Sequence, residues 1–198
     1  MIAEARLADG SPALIWPLAP EDREALREGY EHLSVDARYH RFLASVPHLS
    51  NTLLDHLVDE VDGVDHVALA LVAIDEDHLG VPVGVARMIR YEHDPTAADV
   101  AVTVLDEWQG RGVATALLDE LMRQRPVGVE RLITTVTSDN EASLAMLRRL
   151  GQTTTTPAGI NRLDVTVDLN MPHLPEPPQP SESPESPEPS DPPEAGAP

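Results

Sequence analysis

The residues with the clearest chemical potential are two glycines, Gly110 and Gly112, at the start of an amphipathic helix pattern. Apolar residues recur at three- and four-residue spacing from Val113 to Met122, which predicts a helix over residues 110–123. Glycines at a helix N-terminus let a ligand approach the backbone closely, and the free amides and the helix dipole favour an anion there. The pattern therefore predicts a phosphate-binding loop, although two glycines alone are equally compatible with tight packing.

Two familiar nucleotide-binding motifs fit this loop poorly. A dinucleotide-binding fingerprint would need a third glycine where Thr115 stands, and its ribose-binding acid should follow the next strand, whereas Glu130 is at the start of one. A P-loop requires a Gly-Lys-Ser/Thr sequence, and the chain contains no lysine. We therefore expect the loop to bind phosphate groups in another way.

The surrounding hydrophobicity patterns predict a mixed α/β fold. Strands are predicted at residues 13–17, 66–74, 81–91, 98–105, 130–137, 152–156 and 162–169. Helices are predicted at residues 20–33, 34–43, 50–61, 110–123 and 140–150. Ser138 and Glu141 form a capping-box pattern before the last helix, and Gly151 is expected to end that helix in the left-handed conformation. This order indicates a sheet that is antiparallel in its N-terminal half and has a βαβ-like centre.

Charge and composition exclude several classes of function. The chain has 34 acidic and 14 basic residues and a net charge of −20, which disfavours nucleic acid and anionic membranes as partners. Because cysteine is absent, disulfides, thiolate metal sites and cysteine nucleophiles are excluded, and the eight histidines show no metal-binding spacing. The longest apolar run, residues 67–74, is shorter than the roughly 20 residues of a membrane helix. With no signal-peptide pattern at the N-terminus, we expect a cytoplasmic protein.

Composition divides the chain into three parts. Residues 171–198 contain 11 of the 19 prolines and six acidic residues, with no Lys or Arg. Because this segment has almost no large apolar side chains to bury, burial cannot offset the conformational entropy that ordering would cost. We therefore predict that residues 171–198 form a disordered acidic tail. The folded domain is predicted at residues 13–170 and an N-terminal extension at residues 1–12. We interpret the tail as a solubilising segment or as a mobile strip that competes for a cation-binding site.

Two segments resemble the signatures of the GNAT N-acetyltransferase superfamily. Residues 109–114, Gln-Gly-Arg-Gly-Val-Ala, follow a predicted strand and are similar to its Q/R-x-x-G-x-G/A motif. About 30 residues later, residues 140–151 resemble its Asn-x-x-Ala/Ser … Leu-Gly motif. Residues 38–43, 62–66 and 94–96 are more narrowly similar to the catalytic domain of actinobacterial protein lysine acetyltransferases. The resemblance spans residues 13–169.

The resemblance implies a fold and a co-substrate. The implied fold is a mixed, mostly antiparallel sheet of about seven strands, with flanking helices and a splayed central strand pair. The implied co-substrate is acetyl-CoA, with its diphosphate on the loop amides and its pantetheine arm along the strand that ends at Val104. The binding residues implied in this way are Val102, Val104, Gln109, Gly110, Arg111, Gly112, Val113, Ala114, Thr115, Asn140 and Ser143. For Arg111 a solvated side chain is the alternative, and Asn140 can start a helix, bind the pantetheine arm or do both.

The catalytic residue implied by the resemblance is Asp99, where the lysine acetyltransferases use a glutamate as general base. Its side chain is one methylene shorter and would reach the amine through a bridging water. Glu107 and Glu92 are weaker candidates. Leu147 stands where the superfamily usually has a tyrosine acid, but a thiol with a pKa of about 8.5 can leave as thiolate without one.

The predicted function is therefore acetyl-CoA-dependent N-acetylation of a cationic primary amine, most simply a lysine of a protein. A small amine of the polyamine or aminoglycoside type is an alternative acceptor, and the missing tyrosine keeps open a non-catalytic acyl-CoA-binding module. No metal, nucleic acid or membrane is expected to take part, and the oligomeric state is not predicted.

Overall fold

The most apolar segment of the chain forms a strand at the heart of the sheet. A computed structural model describes residues 3–74 and 82–171, and in it every residue of the strand His66–Ala73 is buried. The predicted acidic tail, apart from Met171, lies outside the described residues. The predicted turn after residue 74 lies outside them as well.

The described part of the chain forms eight strands in one sheet, flanked by helices. The strands are β1 (Ala3–Arg6), β2 (Pro12–Pro17), β3 (His66–Ala73), β4 (Pro82–Tyr91), β5 (Asp94–Val104), β6 (Arg131–Thr137), β7 (Gln152–Pro157) and β8 (Arg162–Asp168). The helices are α1 (Arg23–Glu31), α2 (Val35–Phe42), α3 (Asn51–Leu54), α4 (Val113–Arg123) and α5 (Glu141–Leu150), and a π-helical turn over Asp55–Asp59 continues α3. The spatial order is β1-β2-β3-β4-β5-β6-β8-β7, and each neighbouring pair except β5–β6 is antiparallel. The predicted mixed α/β class with a mostly antiparallel sheet is confirmed.

The central pair of strands separates after a short contact. β5 and β6 run parallel, but only Ala97 with Arg131 and Ala98 with Leu132 are in register. Both strands continue for several residues beyond those pairs, to Val104 in β5 and to Thr137 in β6. The strands therefore diverge into a gap, as expected for the splayed pair.

The two faces of the sheet carry separate apolar cores. Side chains alternate between faces along a strand, so Ala86 and Met88 of β4 pack under α4 and α5, whereas Val85 packs toward α1 to α3. α2 is held across the second face by its N-terminus, where Asp106 accepts hydrogen bonds from the Ser34 amide at 2.9 Å and the Ser34 hydroxyl at 2.8 Å. No helix over the described ranges is both long and apolar enough to cross a membrane.

Three local predictions differ from the structure. The range predicted as an N-terminal extension contributes β1, which pairs antiparallel with β2, so the sheet has eight strands over the described residues rather than about seven. α5 is capped by Asn140 rather than by the predicted Ser138, whose hydroxyl instead bonds the side chain of Asn161. Gly151 is not left-handed, since its φ of 173° is extended; a Cβ atom there would lie 2.0 Å from the Asp168 carbonyl oxygen.

Candidate acetyl-CoA and transfer site

The loop before α4 presents unpaired backbone amides. Gly110 and Gly112 have positive φ angles of 74° and 88°, and Gly112 is the N-cap of α4. The first amide that bonds back to the cap is that of Ala116, which donates to Gly112 O at 3.0 Å. The amides of residues 113–115 precede that hydrogen bond and are free of the helix ladder. This arrangement of N–H groups, with the helix dipole behind it, is suited to an anion.

Gly112 also allows the N-terminal segment to brace the loop. The Ala8 amide donates to the Arg111 carbonyl oxygen at 2.8 Å. A Cβ atom on residue 112 would lie 3.0 Å from the Ala8 nitrogen, which is tighter than ordinary contact. Glycine is therefore required here both by the positive φ and by the close passage of the turn after β1.

The loop, the splayed strand and the start of α5 enclose one cavity of about 610 Å³. Ten of the eleven predicted acetyl-CoA-binding residues line it: Val102, Val104, Gln109, Gly110, Gly112, Val113, Ala114, Thr115, Asn140 and Ser143. Arg111 does not line it, because its guanidinium lies over the buried Trp108 ring, 4.5 Å from the ring centre. The structure thus brings together residues from β5, α4 and α5, and their roles in binding stay predictions.

The exposed edge of β5 offers further backbone groups to this cavity. Leu105 N–H donates to Val83 O of β4 at 3.0 Å. Because pairing alternates along antiparallel strands, Val104 and Val102 turn their amides away from β4 and into the gap. These amides are free to pair with an extended ligand and to stabilise a developing oxyanion.

The structure shows Asn140 in one of its two predicted roles, that of starting a helix. Its Oδ1 accepts the Ser143 amide at 3.0 Å and so caps α5. Its amide NH₂ group makes no hydrogen bond with any described residue, and the side chain lines the cavity. One side chain can therefore start the helix and still donate to a ligand.

Asp99 lines an adjoining cavity of about 310 Å³, which shares Val102 and Ser143 with the first. Burial raises the pKa of the Asp99 carboxyl above its ordinary value. The Thr134 hydroxyl, the Arg41 guanidinium and the Val100 amide oppose that rise in part. A carboxylate with a raised pKa beside a cleft is a suitable proton acceptor.

The walls around Asp99 come from both splayed strands and from α5. Thr134 of β6 bridges the gap by donating from Oγ1 to Val100 O at 3.3 Å. Tyr91 donates to Ile133 O at 3.0 Å, and burial, with the Asp99 charge, raises the pKa of its hydroxyl. Leu147 is buried in the same wall, so no acidic hydroxyl stands at that position.

Sequence reasoning missed several polar residues at the site. Arg149 of α5 lines the larger cavity and donates to Thr115 Oγ1 at 2.9 Å, which puts a cation beside the loop. His40 and Arg41 of α2 line both cavities, with His40 3.8 Å from Asp139. The sequence signal for His40 and Arg41 is the 38–43 segment, whose likeness to the lysine acetyltransferases does not by itself imply a role for these two side chains. Glu107 and Glu92, the weaker candidates for the base, line neither cavity.

No metal centre accompanies the cleft in the part of the chain that is described. Within residues 3–74 and 82–171, no group of three or more His, Asp or Glu side chains is placed to hold a metal ion. The expectation that transfer needs no metal stays a prediction.

Known structures share this architecture. The GNAT domain of S. lividans PAT superposes with a TM-score of 0.73 at 29% identity, covering 85% of this chain and 97% of that domain. A cAMP-binding acyltransferase from Mycobacterium smegmatis superposes with a TM-score of 0.57 at 28% identity, covering 85% of this chain and 47% of that one.

Sequence relatives agree with the structural ones. The acetyltransferase Pat of Mycolicibacterium smegmatis is 37% identical over 136 residues, and the acetyltransferase PA5475 of Pseudomonas aeruginosa is 34% identical over 116 residues. These alignments cover 68% and 59% of this chain but 39% and 61% of the relatives, so the chain spans only part of their length. A family model described as acetyltransferase (GNAT) family matches residues 28–152. This chain belongs to the GNAT acetyltransferase family.

Proposed function

We propose that this protein is an acetyl-CoA-dependent N-acetyltransferase that moves an acetyl group to a primary amine, and that the amine is a lysine side chain of a protein. The proposal rests on one observation, which is that free backbone amides and a buried carboxylate lie together at the splayed strands. Free amides on β5 and at the start of α4 line one cavity of the gap, and the desolvated carboxylate of Asp99, also on β5, lines the adjoining cavity.

The residues present suit a coenzyme A thioester, which supplies an activated acetyl group with a thiolate leaving group. The amides of residues 113–115 would hold its diphosphate, and Arg149 would add a charge-assisted hydrogen bond. The amides of Val102 and Val104 would pair with the amide groups of the pantetheine arm and stabilise negative charge on the carbonyl oxygen.

Asp99 would provide the proton acceptor that amine acylation requires, because an ammonium group has no lone pair. It would take a proton from the acceptor amine, directly or through a water, as the nitrogen bonds to the carbonyl carbon and the carbon–sulfur bond breaks. A general base of this kind contributes about 10²–10⁴-fold to the rate. With Leu147 in place of a tyrosine, the sulfur would leave as thiolate and take its proton from solvent.

A protein lysine fits the surroundings of Asp99. The net charge of −20 steers cationic acceptors toward the chain. Ile89, which is paired with Asp99 across β4 and β5, is 40% exposed, and Tyr91 is 39% exposed. These apolar side chains would pack against the four-carbon stem of a lysine.

Two measurements test the proposal. Titration with acetyl-CoA, followed by thermal unfolding, should raise the unfolding temperature, since a ligand that binds only the native state stabilises it. Thiol release should then depend on an added amine, tested with a lysine peptide, a polyamine and an aminoglycoside. Asp99→Asn should lower the amine-dependent rate at least about tenfold while sparing acetyl-CoA affinity, and Asp119→Asn, an exposed acid on α4, is the matched control. An Asp99→Asn rate equal to that of the control would remove Asp99 from the mechanism.

One observation favours a second candidate, a non-catalytic acyl-CoA-binding module. Leu147 lies in the cavity wall beside Asp99, at the position where GNAT acetyltransferases usually have a catalytic tyrosine. Such a module would bind acetyl-CoA in the first measurement and release no thiol with any amine in the second.

A further inference from the structure

A small cavity lies between α1, α2 and the sheet, on the same face as Asp99. Its volume is about 60 Å³, enough for a small group rather than a whole ligand. It shares Arg41, Phe42 and Ala101 with the cavity that holds Asp99. Two guanidinium groups, those of Arg41 and Arg87, stand in its wall.

Arg87 projects from β4 into this space and is only 5% exposed. Its Nη1 donates to the Leu57 carbonyl oxygen at 3.0 Å and lies 3.2 Å from His66 Nε2. Its Nε and Nη2 make no hydrogen bond with the described residues. A buried guanidinium that keeps unused donors toward a cavity is costly unless a partner arrives.

Arg41 approaches the same space from α2. Its guanidinium lies 4.8 Å from the centre of the Phe42 ring and makes no hydrogen bond with the described residues. Among those residues, no carboxylate lies within 4.0 Å of either the Arg41 or the Arg87 guanidinium. Burial lowers the pKa of Arg41, and burial together with the Arg41 charge lowers the pKa of Arg87 to about 9. Within residues 3–74 and 82–171 these two close cations therefore have no ion-pair partner within 4.0 Å, although the net charge of the chain is −20 and the Asp99 charge acts on Arg41 from beyond that distance.

We propose that Arg41 and Arg87 form a subsite for a carboxylate group of the substrate, next to the point of acyl transfer. A carboxylate would accept from both guanidinium groups and neutralise them, as bidentate arginine pairs do. The inference rests on the proposed transferase function and narrows its substrate class.

The sheet register sets the distance between this subsite and Asp99. Arg87 is opposite Ala101 and Asp99 is opposite Ile89, so Asp99 is two residues from the partner of Arg87 on the same face. The Cα atoms of diagonal neighbours of this kind are about 7–8 Å apart, and the cavities that hold the two side chains share Arg41, Phe42 and Ala101. A short carbon chain therefore spans the two points, and the carboxylate can belong to the amine acceptor or to the acyl group.

Matched substrates separate these two sources. In the acceptor arm, CoA release is compared for 5-aminopentanoate and pentylamine, and for lysine peptides with glutamate or glutamine beside the lysine. In the acyl arm, succinyl-CoA is compared with butyryl-CoA, which has the same number of acyl carbons. We expect at least a tenfold higher kcat/KM for the carboxylate member of one pair, and the pair that shows it identifies the source.

Arg41→Gln tests the residues themselves, with exposed Arg125→Gln as the matched control. The ratio of kcat/KM between the two members of the responding pair should fall at least fivefold in Arg41→Gln and stay unchanged in Arg125→Gln. A ratio near one for every pair in the wild type, or a ratio that survives Arg41→Gln, would overturn the subsite.

A binding measurement keeps this test separate from the proposed function. Glutarate should raise the unfolding temperature of the wild type, whereas its neutral diamide should not, and Arg41→Gln should abolish the glutarate effect. If no amine supports CoA release, the transferase proposal fails while the glutarate effect still decides the subsite. If glutarate has no effect and no substrate pair discriminates, the subsite is refuted while acyl transfer to neutral amines stands.

Discussion

Replacing Gly112 by alanine tests whether the amides ahead of α4 hold the diphosphate of acetyl-CoA. Gly112 has a φ of +88°, and a Cβ atom there would lie 3.0 Å from the Ala8 nitrogen. An L-residue in the left-handed region costs about 1–2 kcal/mol, and the contact with Ala8 forces the loop to shift. Gly128 is the matched control, because its φ is +89° and a Cβ atom there would meet nothing within 4 Å.

The expected loss of binding follows from the hydrogen bonds that the loop would make. A hydrogen bond to a charged group contributes about 1.5–3 kcal/mol, so misdirecting one amide weakens acetyl-CoA binding by about tenfold or more. At 100 times the wild-type dissociation constant, acetyl-CoA stabilises the wild type by about 2.7 kcal/mol, and a tenfold weaker ligand by about 1.4 kcal/mol.

Urea unfolding with and without acetyl-CoA measures both effects. Without the ligand, Gly112→Ala and Gly128→Ala should both lose free energy of unfolding, and Gly112→Ala should lose more because of Ala8. With the ligand, Gly128→Ala should gain as much as the wild type and Gly112→Ala about half as much. An equal gain in Gly112→Ala would refute the idea that this loop holds the diphosphate.

The buried carboxylate and the lysine-free sequence give three further tests. Because burial raises the pKa of Asp99, the rate of amine acetylation should fall as the pH drops through that raised value, and a pH–rate profile of Asp99→Asn should lack this loss. The same raised pKa penalises the folded state above it, so Asp99→Asn should unfold at a higher temperature than the wild type at neutral pH. That difference in unfolding temperature should disappear below pH 3.8, where the carboxyl is protonated in both the folded and the unfolded state. A difference that stays constant between neutral pH and pH 3.8 would contradict the raised pKa of Asp99. Since the chain has no lysine, its intact mass after incubation with acetyl-CoA should increase by at most one acetyl group, at the N-terminal amine, and a second would show that another side chain is modified.

Some of the site was predictable because its signals are local. The glycines before α4 and the apolar spacing within it predict a helix with free amides, and alternation along β5 predicts a strand leading into it. Ten of the predicted binding residues therefore line one cavity. Gly151 shows the limit of such reasoning, since its conformation is set by the passing backbone of Asp168, 17 positions away, rather than by the helix that it follows.

The sequence by itself determined the order of the helices and of the strands from β2 onward, the glycine pattern before α4 and the strongly acidic charge, because these depend on neighbouring residues or on composition alone. The tertiary structure decided what surrounds each reacting group. α2 crosses the sheet because Asp106 holds Ser34, which brings Arg41 into the cavity wall that Arg87 shares. Burial at that crossing also raises the pKa of Asp99. Desolvation and long-range contacts of this kind arise only when distant segments pack together, and no periodicity along the chain encodes them.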